Sequence, residues 1–147
     1  RLSLVGSEMC IETGTEGLQP LNQIAQYVTH DLAYHDYEGV ALDHAERPRL
    51  QHDLGAKNHM LLRNHGTLTV GRSVASAFER MYHLERACSI QVRTRTLGPS
   101  TYPVQDEVID KNAKLFENAD RAELRSTQLV WPPLLRKLDR IDPSYKN

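Results

Sequence analysis

The stretch from residue 59 to residue 71 constrains this chain more than any other. His59-Met60-Leu61-Leu62 is an apolar run of strand length, and Thr67-Leu68-Thr69-Val70 alternates with the period of a second strand. Between them lies Arg63-Asn64-His65-Gly66, a turn in which Gly66 is expected to take the positive φ. A hairpin is therefore predicted. After Gly71, Ser73 is placed to cap a long helix that runs until Gly98-Pro99 breaks it. Its apolar face is expected to carry Val74, Phe78, Met81, Leu84 or Glu85, Cys88 and Val92.

Weaker signals fill in the rest. Residues 3–13 hold Leu4, Val5, Met9 and Ile11 among small and polar residues, which predicts a short helix stopping at Gly14 or Gly17. Pro20 suits the first turn of a helix in which Leu21, Ile24, Ala25 and Val28 recur at helical spacing. Residues 32–37 read as a short strand leading into a loop, and residues 45–54 as a helix with Gly55 as its C-terminal cap. Beyond residue 100 the chain turns polar, with helices expected over 104–118 and over 122–140, the second bent at Pro132-Pro133. Short strands interleaved with helices make this an α/β domain, one unit over the 147 residues with a helical extension from about residue 100.

Composition excludes several function classes. Hydrophobic residues at 39% and charged residues at 25% rule out a disordered tail, and no apolar run nears the roughly 18 residues of a membrane helix. Eighteen Lys and Arg against nineteen Asp and Glu leave no long-range electrostatic case for nucleic acid or anionic lipid. Cys10 and Cys88 form neither a disulfide framework nor a metal knuckle, which points to reduced thiols in a cytoplasmic protein. The chain starts at Arg1 and not at Met, so a longer parent protein is expected.

Two positions carry candidate chemistry. A His on a tight turn, as His65 is, can aim a neutral imidazole at a Zn, Fe or Mn ion, although a His bonded across the turn would look the same in sequence. The other six histidines form no HxH or HxxxH pair. Tyr34 stands in Ala33-Tyr34-His35-Asp36-Tyr37-Glu38-Gly39, where a phenol beside a carboxylate can donate a proton, or an aromatic can simply pack at a sheet edge. Glu46-Arg47-Pro48-Arg49 reads as a solvated charge run.

The segment Leu61-Leu62-Arg63-Asn64-His65-Gly66-Thr67-Leu68-Thr69-Val70-Gly71 resembles the class II aldolase/adducin family. The match continues through Ser73-Val74-Ala75-Ser76-Ala77-Phe78 and Tyr82-His83-Leu84-Glu85-Arg86-Ala87-Cys88, and upstream through Gly17-Leu18-Gln19-Pro20-Leu21 and residues 33–39. The resemblance implies a three-layered α/β/α domain with a mainly antiparallel sheet, here incomplete at its N-terminus, and tetramers with active sites between subunits. It implies a divalent metal, usually zinc, held by an HxH pair and a later His that matches His65. The metal would polarise a carbonyl and stabilise an enediolate. Tyr34 falls near the position of an assisting tyrosine from a neighbouring subunit. The acid/base Glu would lie ahead of Arg1, and Leu2 takes the place of the second His of the pair.

Three functions follow from the resemblance. The parent would be a metal-dependent lyase or isomerase acting on a small carbonyl or sugar-phosphate compound, with this chain catalytically incomplete. The alternative is a non-catalytic adducin-like module for protein contacts, cytoskeletal actin among them. The third is an α/β fragment without activity of its own. Weak autonomous stability is expected of an isolated chain that leaves a sheet edge exposed.

Overall fold

The computed structural model describes residues 3–7, 15–39, 44–98 and 101–146. Among the described residues four strands form one sheet: β1 (Ser3–Ser7), β2 (Leu32–His35), β3 (His59–Leu62) and β4 (Gly66–Gly71), in the order β1-β4-β3-β2. β3 and β4 make the predicted hairpin, with His59 opposite Thr69 and Leu62 opposite Gly66. β1 pairs antiparallel with β4, and β2 pairs parallel with β3, so two of the three pairings are antiparallel. A parallel neighbour needs a crossover, supplied by the segment that carries the helix α2 (Arg47–Leu54). Residues 3–7 are therefore strand where helix was expected, and the remainder of that predicted helix, 8–13, lies outside the described residues.

Helix α1 (Gln23–Thr29) begins at Asn22, whose side chain accepts from the N–H groups of Ile24 and Ala25. The long helix α3 (Val74–Arg95) starts with a reciprocal cap between Ser73 and Ser76. These two helices pack together, and Leu18, Ala25, Val28, Leu61, Leu84, Ala87 and Cys88 form the core between them and the sheet. Strand alternation puts His59, Leu61, Thr67 and Thr69 on that face. Both threonines are buried there: Thr67 donates to Glu85 at 2.8 Å and Thr69 to the Ala77 carbonyl at 2.8 Å. Met60, Leu68, Ala33 and His35 point to the opposite face, which α2 approaches. This is the α/β/α layering the resemblance implies.

The buried side of α3 is rotated from the expected stripe. Ala77, Met81, Leu84, Ala87 and Cys88 face inward, whereas Val74 is 56% exposed, and Phe78 and Val92 are 40% exposed. Alanines let the helix lie close on the sheet, so its larger residues turn outward, where Phe78 meets Trp131 edge-to-face.

The C-terminal extension contains α4 (Asp106–Phe116), α5 (Ala119–Leu124) and α6 (Trp131–Ile141). A π-helical turn over Arg125–Val130 joins α5 to α6 just ahead of Pro132-Pro133. The prolines have no N–H for the ordinary ladder, and the Trp131 N–H reaches the Ser126 carbonyl five residues back. The bend expected at the prolines is a widened turn immediately before them.

Candidate functional site

The turn between β3 and β4 carries the first candidate. Asn64, and not Gly66, takes the positive φ, at 54°. Asn tolerates the left-handed region better than most residues, so the turn closes one residue earlier than glycine content suggests. His65 donates its backbone N–H to the Leu62 carbonyl at 3.0 Å, and its side chain is half-buried. Among the described residues no hydrogen bond or ion pair holds the ring. His65 belongs to no group of three or more His, Cys, Asp or Glu side chains close enough to share an ion. The described residues thus bring a single imidazole to this turn, and one such group does not make the three-ligand sphere of a catalytic zinc. Leu2 lies outside the described residues.

Tyr34 stands on β2 on the face shared with Leu61 and packs against the core. Its hydroxyl accepts the Leu18 backbone N–H at 2.9 Å, and the Arg63 guanidinium lies 4.9 Å from its ring centroid. The loop it holds is built around it. Gly17 has φ +69°, and a Cβ there would sit 2.5 Å from the Tyr34 hydroxyl. Gln91 of α3 clamps the same loop, donating to the Gly17 carbonyl at 2.8 Å and accepting the Gln19 N–H at 2.7 Å. Tyr34→Phe strands the N–H of the buried Leu18, so a stability loss of about 1–2 kcal/mol is expected in chemical denaturation. A midpoint unchanged from the parent's would show that the loop does not depend on this bond.

The structure gathers a second constellation that sequence reasoning missed. His35 alternates with Tyr34 and points to the other face, where it is only 4% exposed. Its Nδ1 lies 2.7 Å from Oδ2 of Asp53, and its Nε2 lies 3.3 Å from Oε1 of Glu46 and 4.0 Å from Oε1 of Glu38. Glu38 in turn accepts from Arg49 Nε at 2.7 Å. Burial works against charge on His35, but the bonds to Asp53 and Glu46 outweigh it and raise its pKa above the ordinary imidazole value. The Asp53 carboxyl is held below its usual range by His35 and His52, and that of Glu38 by Arg49. Of the charge run at 46–49, Glu46 accordingly partners His35 of β2 and Arg49 partners Glu38 just beyond that strand. No helix residue of α2 is buried, so these polar contacts bind it to the sheet. Strand periodicity, which puts His35 on a covered face with Ala33, was the available signal; the partners 11 and 18 residues away had none.

A third cluster surrounds Tyr27 on α1. His83 lies 4.7 Å from its ring centroid, Phe116 5.1 Å, and His30 and His59 lie further out. Burial holds the pKa values of His30 and His83 below the ordinary imidazole range. Their Nδ1 atoms face the carbonyls of Gln26 and Glu79, and both rings pack within the cluster. These aromatic contacts dock α4 against α1.

Comparison with known proteins bears on the whole assembly. Residues 3–92 match the family model described as Class II Aldolase and Adducin N-terminal domain. A Pseudomonas aeruginosa protein named for aldolase class 2 is 42% identical over 132 residues, covering 89% of this chain and 51% of its own length. Mouse alpha-adducin is 47% identical over 79 residues, which is 53% of this chain and 11% of the adducin. The crystal structure of an aldolase II superfamily protein from Pseudomonas syringae superposes with a TM-score of 0.83 at 33% identity, over 98% of this chain and 59% of that one. This chain spans about half the length of the first of these relatives. The matched segment runs from β1 to the end of the Gln91 clamp and includes the His65 turn, and the chain belongs to the class II aldolase/adducin family.

Proposed function

We propose that this chain is part of a metal-dependent class II aldolase-type lyase or isomerase acting on a small carbonyl or sugar-phosphate compound. The observation that carries this reading is the His65 ring, half-buried on a left-handed turn inside the family-matched segment and held by no partner among the described residues. In this reading His65 contributes one ligand to a divalent metal, zinc by preference, and the described residues do not complete the set. Tyr34 is the proton donor to a site completed on a neighbouring chain of a homo-oligomer. No helix among the described residues is long and apolar enough to cross a membrane, and the reading places the protein in the cytoplasm.

The identity to alpha-adducin favours a second reading, a non-catalytic module whose surface binds a protein partner. One experiment separates the two. The full-length protein of which this chain is proposed to be a part is assayed for carbonyl cleavage of a panel of small hydroxy-ketones and ketose phosphates, with and without a chelator. The lyase reading expects chelator-sensitive turnover that falls at least 100-fold in His65→Ala. Turnover that survives both the chelator and the substitution overturns the role of His65, and no turnover on any substrate favours the module.

A further inference from the structure

The cluster around His35 brings three metal-ligating side chains together on the face of the sheet that α2 approaches. Nδ1 of His35 stands 2.7 Å from Asp53, the length of a charge-assisted bond, so this nitrogen carries the proton. Nε2 faces two carboxylate oxygens, Oε1 of Glu46 at 3.3 Å and Oε1 of Glu38 at 4.0 Å; it donates a second proton to them or, when that proton leaves, turns a lone pair toward them. Lone pair against carboxylate is repulsive unless something positive lies between them. The 3.3 Å spacing is long for a charge-assisted hydrogen bond, but it matches the edge of a zinc tetrahedron, about 3.3 Å when metal–ligand distances are about 2.0–2.1 Å.

From this juxtaposition we infer that Nε2 of His35, Oε1 of Glu46 and Oε1 of Glu38 form a divalent-cation site that takes zinc. The three atoms lie within 4.8 Å of one another. Charge agrees with this. With a neutral His35, the carboxylates of Glu38, Glu46 and Asp53 against the guanidinium of Arg49 leave two negative charges, which a divalent ion balances. Asp53 takes the outer position common behind metal-bound histidines, fixing the tautomer and the ring plane, and Arg49 holds Glu38 in the same way. Glu38 Oε1 needs to close by about 0.7 Å on Nε2 to reach the tetrahedral edge, carrying its half-exposed partner Arg49 with it, and its one-third-exposed side chain leaves room for a water in the fourth position. Such an ion would cross-link β2 to the start of α2, which no buried apolar residue secures.

The test is zinc titration of the purified protein by calorimetry at neutral pH, with imidazole nitrogen shifts followed by NMR. Wild type is expected to bind zinc, with a large shift at His35 Nε2 while Nδ1 keeps its proton. Glu46→Gln is expected to weaken that binding at least tenfold and Asp53→Asn by roughly tenfold. His65→Ala is expected to leave the His35 shift intact, so this proposal and the aldolase reading of His65 stand or fall separately. The absence of any zinc-induced shift at His35 overturns the inference and leaves a proton on Nε2 as the bridging charge. Undiminished affinity in a folded Glu46→Gln protein overturns it as well. If that variant does not fold, the NMR shift in wild type decides.

Discussion

Gly71→Ala is expected to lower the free energy of unfolding by about 3–4 kcal/mol, which for a chain of this length moves the melting temperature down by roughly 10–15 °C. The reason is contact and not backbone freedom. A Cβ at position 71 would lie 2.5 Å from the backbone nitrogen of Ala77, 2.5 Å from Oγ of Ser76 and 3.0 Å from the Ser73 carbonyl. Two of those three atoms are backbone, so no rotamer change relieves the overlap. The first turn of α3 has to move off β4, and with it go the Ser73–Ser76 cap and the bond from Thr69 to the Ala77 carbonyl. A cap alone is worth about 1 kcal/mol, and overpacking adds about 1–3. Chemical denaturation of the two proteins side by side reads the difference. A loss under 1 kcal/mol would mean that the strand and helix do not approach as closely as the structure places them.

That contact shows how far sequence carries in this fold. The hairpin and α3 were legible because both patterns are local: an apolar run and an alternating run on either side of a four-residue turn, then a serine-capped helix that ends before Gly98. Which face of each element is buried was not. Alternation in Thr67-Leu68-Thr69-Val70 says only that the threonines share a face. They turn inward because Glu85 and the Ala77 carbonyl satisfy their hydroxyls, and because small residues bring α3 close enough to do so. Residues 3–7 become a strand through pairing with β4, more than 60 residues away, which no local periodicity records.

The candidate site divides along the same line. His65 could be singled out because its turn is a sequence motif. His35 could not, since its chemistry comes from Glu46 and Asp53 on the far side of a loop and from the strand parity that turns it away from Tyr34. Tyr34 and His35 are neighbours in sequence and face opposite layers of the domain. One closes the core side by holding the 17–19 loop, and the other ties down α2. The phenol of Tyr34 and the imidazole of His35, adjacent in the sequence, therefore serve two separate surfaces.

Glu79→Ala is expected to cost about 2–3 kcal/mol and to loosen the C-terminal extension before the sheet. Glu79 lies on the inward side of α3, almost wholly buried, and its carboxylate accepts from Arg125 and from Ser126 Oγ. Both partners sit at the start of the π-helical turn, where the widened ladder projects them toward α3. Hydrogen bonds to a charged group contribute about 1.5–3 kcal/mol each. The sum is discounted because Arg125 is nearly half exposed and can return to water, while the single Ser126 hydroxyl proton can turn to the Ala122 carbonyl at 2.9 Å. Arg125 also lies 5.6 Å from the Tyr27 ring centroid, so its release reaches the aromatic cluster that docks α4. Glu79→Gln preserves the shape and one acceptor, and about half the loss is expected from it. Hydrogen exchange distinguishes local from global failure: in Glu79→Ala, amides of residues 119–141 should lose protection while those of β3 and β4 hold theirs. Equal loss of protection in both regions would show that Glu79 supports α3 itself, and that the extension follows because its platform has gone.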